Sequence, residues 1–106
     1  MIVDNLKIVP DRLSPPGGVV TLTYDIGSAD RACDRVLIDG QEIASSDCFP
    51  VTGTVKFPQK RVRNVTVVWR DVDFVLLVVK VQETAPDGTA IGSEMELSGP
   101  IRMNQA

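Results

Sequence analysis

The stretch VTVVWRDVDFVLLVVKV, residues 65–81, is the most apolar run of the chain, and its reading decides the fold. A membrane helix needs about 18 uncharged apolar residues. Here Arg70, Asp71, Asp73 and Lys80 interrupt the run, so no membrane span is expected. A helix is equally unfavourable. The stretch is dense in valine, whose branched Cβ is stiff at χ1 and suits a pleated strand. Its apolar positions run on or alternate and do not recur at three and four. The charged group RDVD sits where a turn belongs. The expectation is two strands, 62–69 and 74–83, joined through 70–73, with Trp69 buried in the core beside Val67, Leu22, Tyr24 and Leu77.

Working outward, the same period of two recurs. LKIV (6–9) reads as a strand stopped by Pro10. SPPGG (14–18) is a loop, because its prolines and glycines join neither helix nor ladder. VVTLTYDI (19–26) puts Val20, Leu22, Tyr24 and Ile26 on one face. RVLIDGQEIA (35–44) carries Asp39-Gly40 between two apolar runs, the mark of a type I′ hairpin. VTGTVKF (51–57) reads as a strand with Val51, Gly53, Val55 and Phe57 inward. TAPDGTA (84–90) turns into IGSEMEL (91–97), and Pro100 breaks or bulges the last strand before Ile101 and Met103. Seven to eight short strands with turns every eight to twelve residues predict an all-β, two-sheet antiparallel sandwich, with a small barrel as the alternative. The 106 residues make a single domain, 1–106, long enough for one hydrophobic core.

Composition excludes several function classes. The net charge is −3, whereas phosphate backbones require a dense cationic surface, so no nucleic acid is expected as partner. The one basic cluster, Lys60, Arg61 and Arg63, reads as a solvated loop and strand edge. The chain has no histidine, which removes the commonest general base and neutral metal ligand. No nucleophile motif and no phosphate-cradling glycine loop occurs, so the expectation is no enzyme and no cofactor. Asp71 and Asp73 form a D-x-D, a pattern that suits Ca²⁺ but equally a solvated turn. The turn is the reading taken, with no metal. Asn64-Val65-Thr66 matches a glycosylation sequon by chance of pattern. Met1 is followed at once by IVDNLKIVP, with no basic n-region and no apolar h-region, which predicts either use without Sec export or a chain that has been trimmed.

VTLTYDI, the RVLIDGQEI hairpin and DFVLLVVKVQETAPDGTAIG together resemble a bacterial or phage immunoglobulin-like domain of the PKD or fibronectin-III type. In such domains the penultimate strand alternates, ends in an acidic residue and turns through D-G into the last strand. Val75, Leu77, Val79, Val81, Glu83 and Asp87-Gly88 follow that layout. The resemblance implies an immunoglobulin-like antiparallel sandwich. The antibody pattern is absent, since Cys33 and Cys48 are too close in sequence to join two sheets and Trp69 comes after them.

Two features bear on function. Cys33 and Cys48 flank the 39/40 hairpin. Opposed residues there sum to 79 and these sum to 81, so a small bulge brings them into bonding range. They are a disulfide candidate, with two free thiols as the alternative. A bond would imply an oxidising compartment or a virion surface. The second feature is the strand 74–83, which is apolar on both faces. With Val75, Leu77, Val79 and Val81 inward, Phe74, Leu76 and Val78 point outward beside Leu37. These four residues are the candidate interface, set against cover by the N-terminal arm or the RMNQA tail. The function expected is a non-enzymatic structural module acting by protein–protein contact, with a second copy or a larger assembly such as a capsid as partner. A phage virion protein (capsid decoration or tail accessory) leads. An immunoglobulin-like module of a bacterial surface or secreted protein is the first alternative, with an extracellular or cell-surface location. A Ca²⁺- or sugar-binding module is the second.

Overall fold

The computed structural model describes residues 1–105. The stretch 65–81 crosses from one sheet to the other. Its first part ends strand β6 (Gln59–Val68) and its last part opens β7 (Phe74–Thr84). Val65 and Val67 are buried while Thr66 and Val68 are exposed, and Val75, Leu77, Val79 and Val81 are buried in turn. That alternation follows from the pleat, which sends successive side chains to opposite faces. The other strands are β1 (Ile2–Val9), β2 (Arg12–Leu13), β3 (Gly17–Gly27), β4 (Arg31–Ile38), β5 (Gln41–Pro50) and β8 (Ala90–Met103). No helix occurs among the described residues. One sheet has the order β1-β3-β6, the other β2-β8-β7-β4-β5, and only the short β2–β8 pair is parallel. The five-stranded sheet is curled, half-way to a barrel. The architecture is therefore an all-β sandwich of eight strands around one apolar cluster, with Tyr24, Leu22, Ile26, Ile38, Leu77 and Ile101 among its largest fully buried side chains.

Besides Gly17 and Gly18, which join the ladder of β3 opposite Val68 and Val67 although SPPGG read as a loop, three expectations need correction. VTGTVKF is a loop, and Phe57 is 73% exposed instead of inward. Thr54 and Phe57 close a tight turn: the Thr54 N–H donates to the Phe57 carbonyl (3.0 Å) and the Phe57 N–H donates to Thr54 Oγ1 (3.0 Å). The backbone of Pro58 and Gln59 also crosses Gly53 so closely that a Cβ would lie 2.1 Å from Gln59 N. Alternation alone cannot foresee such a fold-back. Second, β8 runs unbroken through Pro100, which pairs with Leu76. Apart from β2 at Arg102 and Met103, β8 has no strand on its other side, and proline is tolerated at such an edge. Third, Trp69 is half-buried at the end of the sandwich, beyond the last residue of β6. Its indole Nε1 donates to the Asn104 carbonyl (2.8 Å), a partner that a site deep between two apolar sheets would not offer.

Of the basic cluster, Lys60 is exposed on the edge strand β6 as expected, but Arg61 and Arg63 are placed differently. Arg61 and Arg63 fall in phase with Val65 and Val67, and their guanidinium groups turn inward to Asp34 of β4, which is fully buried. Arg63 Nη1 donates to the Asp34 carboxylate (2.7 Å) and to its carbonyl (2.9 Å). Arg61 Nε donates at 3.1 Å, and the Tyr24 hydroxyl at 2.6 Å. Arg61 also reaches Asp47 and lies 4.0 Å over the Phe49 ring, while Arg63 donates to the Ser45 carbonyl. The cluster thus ties β3 and β6 of one sheet to β4 and β5 of the other. Arg61 holds the Asp47 carboxyl below the usual carboxylate range. Burial, and then the hydrogen bond to Asp34, push the Tyr24 phenol far above its ordinary value.

The β4–β5 hairpin turns on Asp39 (φ 50°) and Gly40 (φ 76°), the paired positive φ that a type I′ turn requires. The ladder starts with Ile38 opposite Gln41 and reaches Cys33 opposite Cys48 after two register shifts. Those shifts move the pairing sum from 79 to 81. Cys33 and Cys48 are joined by a disulfide on the outer face of the sheet, with Cα atoms 4.0 Å apart.

Three predictions follow from these ties. Asp34→Ala leaves two half-buried cations without their partner and should cost about 3–5 kcal/mol in urea unfolding. Tyr24→Phe removes one hydrogen bond to a charged acceptor, worth about 1.5–3 kcal/mol. A phenol whose folded pKa is raised stabilises fully below the unfolded value of about 10 and loses that contribution as the pH climbs beyond it. Wild type should therefore lose melting temperature above about pH 10 more steeply than Tyr24→Phe. Parallel curves would contradict this. Reduction of the disulfide, which closes a separation of 15 residues, should cost about 3 kcal/mol by the loop-entropy model. At roughly 4–8 °C per kcal/mol the melting temperature should fall well beyond 10 °C with the β-type circular dichroism kept.

Candidate interaction surface

β7 lies between β8 and β4, so its outward side chains sit in the middle of an open sheet face. Phe74 stands opposite Arg102, Leu76 opposite Pro100, and Val78 between Ser98 and Leu37. Phe74 is 59% and Leu76 44% exposed, and Val78 is half-covered. Leu37 departs from the expectation of an exposed residue. It keeps the outward parity, in register with Val78, but is only 8% exposed and so serves as floor. Neither the N-terminal strand nor Asn104 and Gln105 cover Phe74 and Leu76. β1 belongs to the opposite sheet, and Gln105 turns to the Val72 carbonyl.

The face changes character along its length. Toward the far end of β7, Lys80 pairs with Glu96, and Arg35 of β4 pairs with Glu94 and Glu42. These charges neutralise one another within the sheet. Around Phe74 and Leu76 the surface is instead apolar and concave. A cleft of about 700 Å³ opens there, lined by Phe74, Leu76, Pro100, Met103, Arg12 and Arg102, with Asp73 and Asn104 at its rim. The parallel β2–β8 pairing sets Arg12 beside Arg102. Arg12 donates to the Asn104 side-chain oxygen (3.3 Å). Among the described residues, neither arginine takes part in an ion pair, and neither does Asp73. The Asp73 backbone is fixed, since its carbonyl accepts from the Met103 N–H (2.9 Å).

Pro100, Arg102 and Arg12 were absent from the expected site. A usable signal existed: Ile101 and Met103 share the inward face, so Arg102 between them must point out. Arg12 carried none, because a two-residue parallel strand leaves no pattern. Asp71 and Asp73 sit in the exposed loop between β6 and β7, and no group of three or more potential ligands gathers among the described residues. Tyr24 is fully buried, and the most exposed aromatic rings are Phe57 and Phe74. On the outer face of the three-stranded sheet, Val9, Val19, Val62 and Val68 are exposed but interleaved with Thr21, Thr23, Asn64 and Thr66. That face is mixed, and the cleft at its Asp25 end is small, about 130 Å³, lined by Ile2, Asp4, Asn5 and Asp25 with the 54–58 loop. Comparison of the chain with protein-family models, with curated proteins and with solved structures found no match in any of the three.

Proposed function

We propose that the protein is a non-enzymatic, immunoglobulin-like structural module that acts by protein–protein contact through the outer face of its five-stranded sheet. The observation that carries this reading is the solvent-exposed apolar strip of Phe74 and Leu76, at the start of β7 beyond its last pairing with β4 and continuous with a cleft. Exposed apolar patches with a polar rim mark interfaces on soluble proteins. The strand order β1-β3-β6 against β2-β8-β7-β4-β5, with a D-G turn at Asp87-Gly88 leading into the last strand, supports the immunoglobulin-like assignment. The absence of histidine from the sequence fits a binding role better than proton-transfer chemistry.

The disulfide favours oxidising surroundings, because cytosolic thiols are kept reduced. A virion surface, as capsid decoration or tail accessory, is the setting proposed. A bacterial cell surface satisfies the same chemistry and is the alternative.

The test is photo-cross-linking in the native assembly. A photoreactive side chain at position 76 should yield protein–protein adducts, while one at position 66, on the outer face of the other sheet, should not. Phe74→Thr with Leu76→Thr keeps β propensity and removes apolar surface. The double variant should fold with a melting temperature close to wild type and detach from the assembly. Equal adducts from both positions, or full retention of the double variant, would place the contact elsewhere.

A further inference from the structure

We infer that the cleft end of this face docks onto a second copy of the chain about a two-fold axis, with Asp73 of each copy seated between Arg12 and Arg102 of the other. The inference rests on the reading of this face as an interface and names its occupant.

The argument is one of charge and symmetry. Arg12 and Arg102 stand side by side on neighbouring strands, a like-charge pair that repels until a carboxylate comes between them. The carboxylate in the cleft lining, Asp73, pairs with neither among the described residues. Among those residues both signs therefore stand unpaired in the lining of one cleft. Elsewhere on the same face, charges of opposite sign are already paired within the sheet, at Arg35–Glu94 and Lys80–Glu96. A partner bearing only carboxylates would satisfy the arginines but meet Asp73 with repulsion. A two-fold contact satisfies all of them, because each patch residue i that meets j is repeated as j meeting i. The same rotation brings Phe74 and Leu76 of one copy against the Leu76 and Pro100 floor of the other.

The size of the contact sets its strength. The molecule measures 47 × 25 × 18 Å. Half of its broad face is about 600 Å² per copy, somewhat below the ~800 Å² of a standard interface. The dimer should therefore be weak, with a dissociation constant in the micromolar range, and more dissociated at high salt.

Sedimentation equilibrium at rising concentration tests it. Wild type should move from one chain mass of 11.5 kDa toward twice that value. Asp73→Arg and Arg102→Asp should each remain monomeric, since each places like charges in both contacts. Mixing the two single variants should restore much of the dimer as a heterodimer, because one copy then brings three cations to the contact and the other brings two carboxylates beside its Arg12. The variant with both changes should self-associate again. Circular dichroism checks that each variant is folded. Should a reversal not fold, Asp73→Asn and Arg102→Gln replace it and should weaken the dimer at least about tenfold, the loss expected for a charge pair worth 1.4 kcal/mol. A monomeric wild type at every concentration, or single reversals that dimerise as wild type does, or no rescue on mixing, overturns the inference. If wild type is monomeric while position 76 still cross-links to a different protein, the second copy is wrong and the interface stands. If position 76 also yields no adduct, the functional reading fails with it.

Discussion

The fold depends on keeping one charge, Asp34, inside the sandwich. An isolated carboxylate in an apolar interior is too costly to persist, so its position has to be satisfied from several sides at once. Here the donors are Tyr24 of β3 and Arg61 and Arg63 of β6, while Asp34 itself rides on β4. All three donors come from one sheet and the acceptor from the other. Sliding one sheet over the other by a single residue would carry the donors about 3.3 Å past Asp34, more than a hydrogen bond tolerates, and break every bond together. Apolar packing tolerates small shifts, whereas a buried charge with directional donors does not. The cluster also sits where β5 and β6, the facing edges of the two sheets, meet with no ladder between them. Arg61 and Arg63 extend from the core to Asp47 and Ser45 of β5 and close that side with charged hydrogen bonds.

The opposite side is closed by a different device. Ile8 of β1 rests over Gly99 of β8, where a Cβ would come within 2.9 Å of the Ile8 side chain. At the other end of the strands the N-terminal ammonium meets Glu83 of β7. One flank is thus polar and directional, the other apolar and close-fitting. With both flanks sealed, the surfaces left for a partner are the two outer sheet faces and the two loop ends. Of these, the outer face of the five-stranded sheet sets the exposed Phe74 in the larger of the two clefts described, beside Arg12, Arg102 and Asp73, which take part in no ion pair among the described residues.

The strands were largely legible in the sequence because valine alternation survives whatever the strand packs against. Val65, Val67, Val75, Leu77, Val79 and Val81 all take the parity the pattern assigns, and Asp39-Gly40 turns the hairpin where its chemistry requires. What could not be read locally depends on long-range partners. Arg61 and Arg63 looked solvated because charge normally faces water; only Asp34, 27 and 29 residues away, makes the inward rotamers affordable. A clue was present all the same, since Ala32, Asp34, Val36 and Ile38 share one parity, and so do Arg61, Arg63, Val65 and Val67. Acid and base at core positions of two different strands are the trace of a buried pair. Phe57 was misplaced for the reverse reason: the Thr54–Phe57 turn rests on local hydrogen bonds that hydrophobic spacing does not record. Leu37 has the expected parity and lacks only the exposure, which depends on neighbours beyond its own strand.

The strongest ties and the exposed apolar surface are separated along the strands. Val81, opposite Asp34, lies seven residues from Phe74 on β7, about 23 Å at the rise of a strand. The disulfide lies beside Asp34, at the end away from the cleft. The two strongest ties therefore fall on one half of the molecule, and the apolar, unpaired surface falls on the other. The cleft half is held by weaker means: the two-residue β2 ladder, the Asn104 N–H donating to the Leu13 carbonyl, and the Trp69 indole donating to the Asn104 carbonyl. Substitutions on Phe74, Leu76, Arg102 or Asp73 leave the Asp34 cluster untouched, because no side chain of that cluster reaches them. A rigid half anchored by directional bonds can carry a half whose side chains are free to meet a partner, and a change of partner surface then costs the fold little.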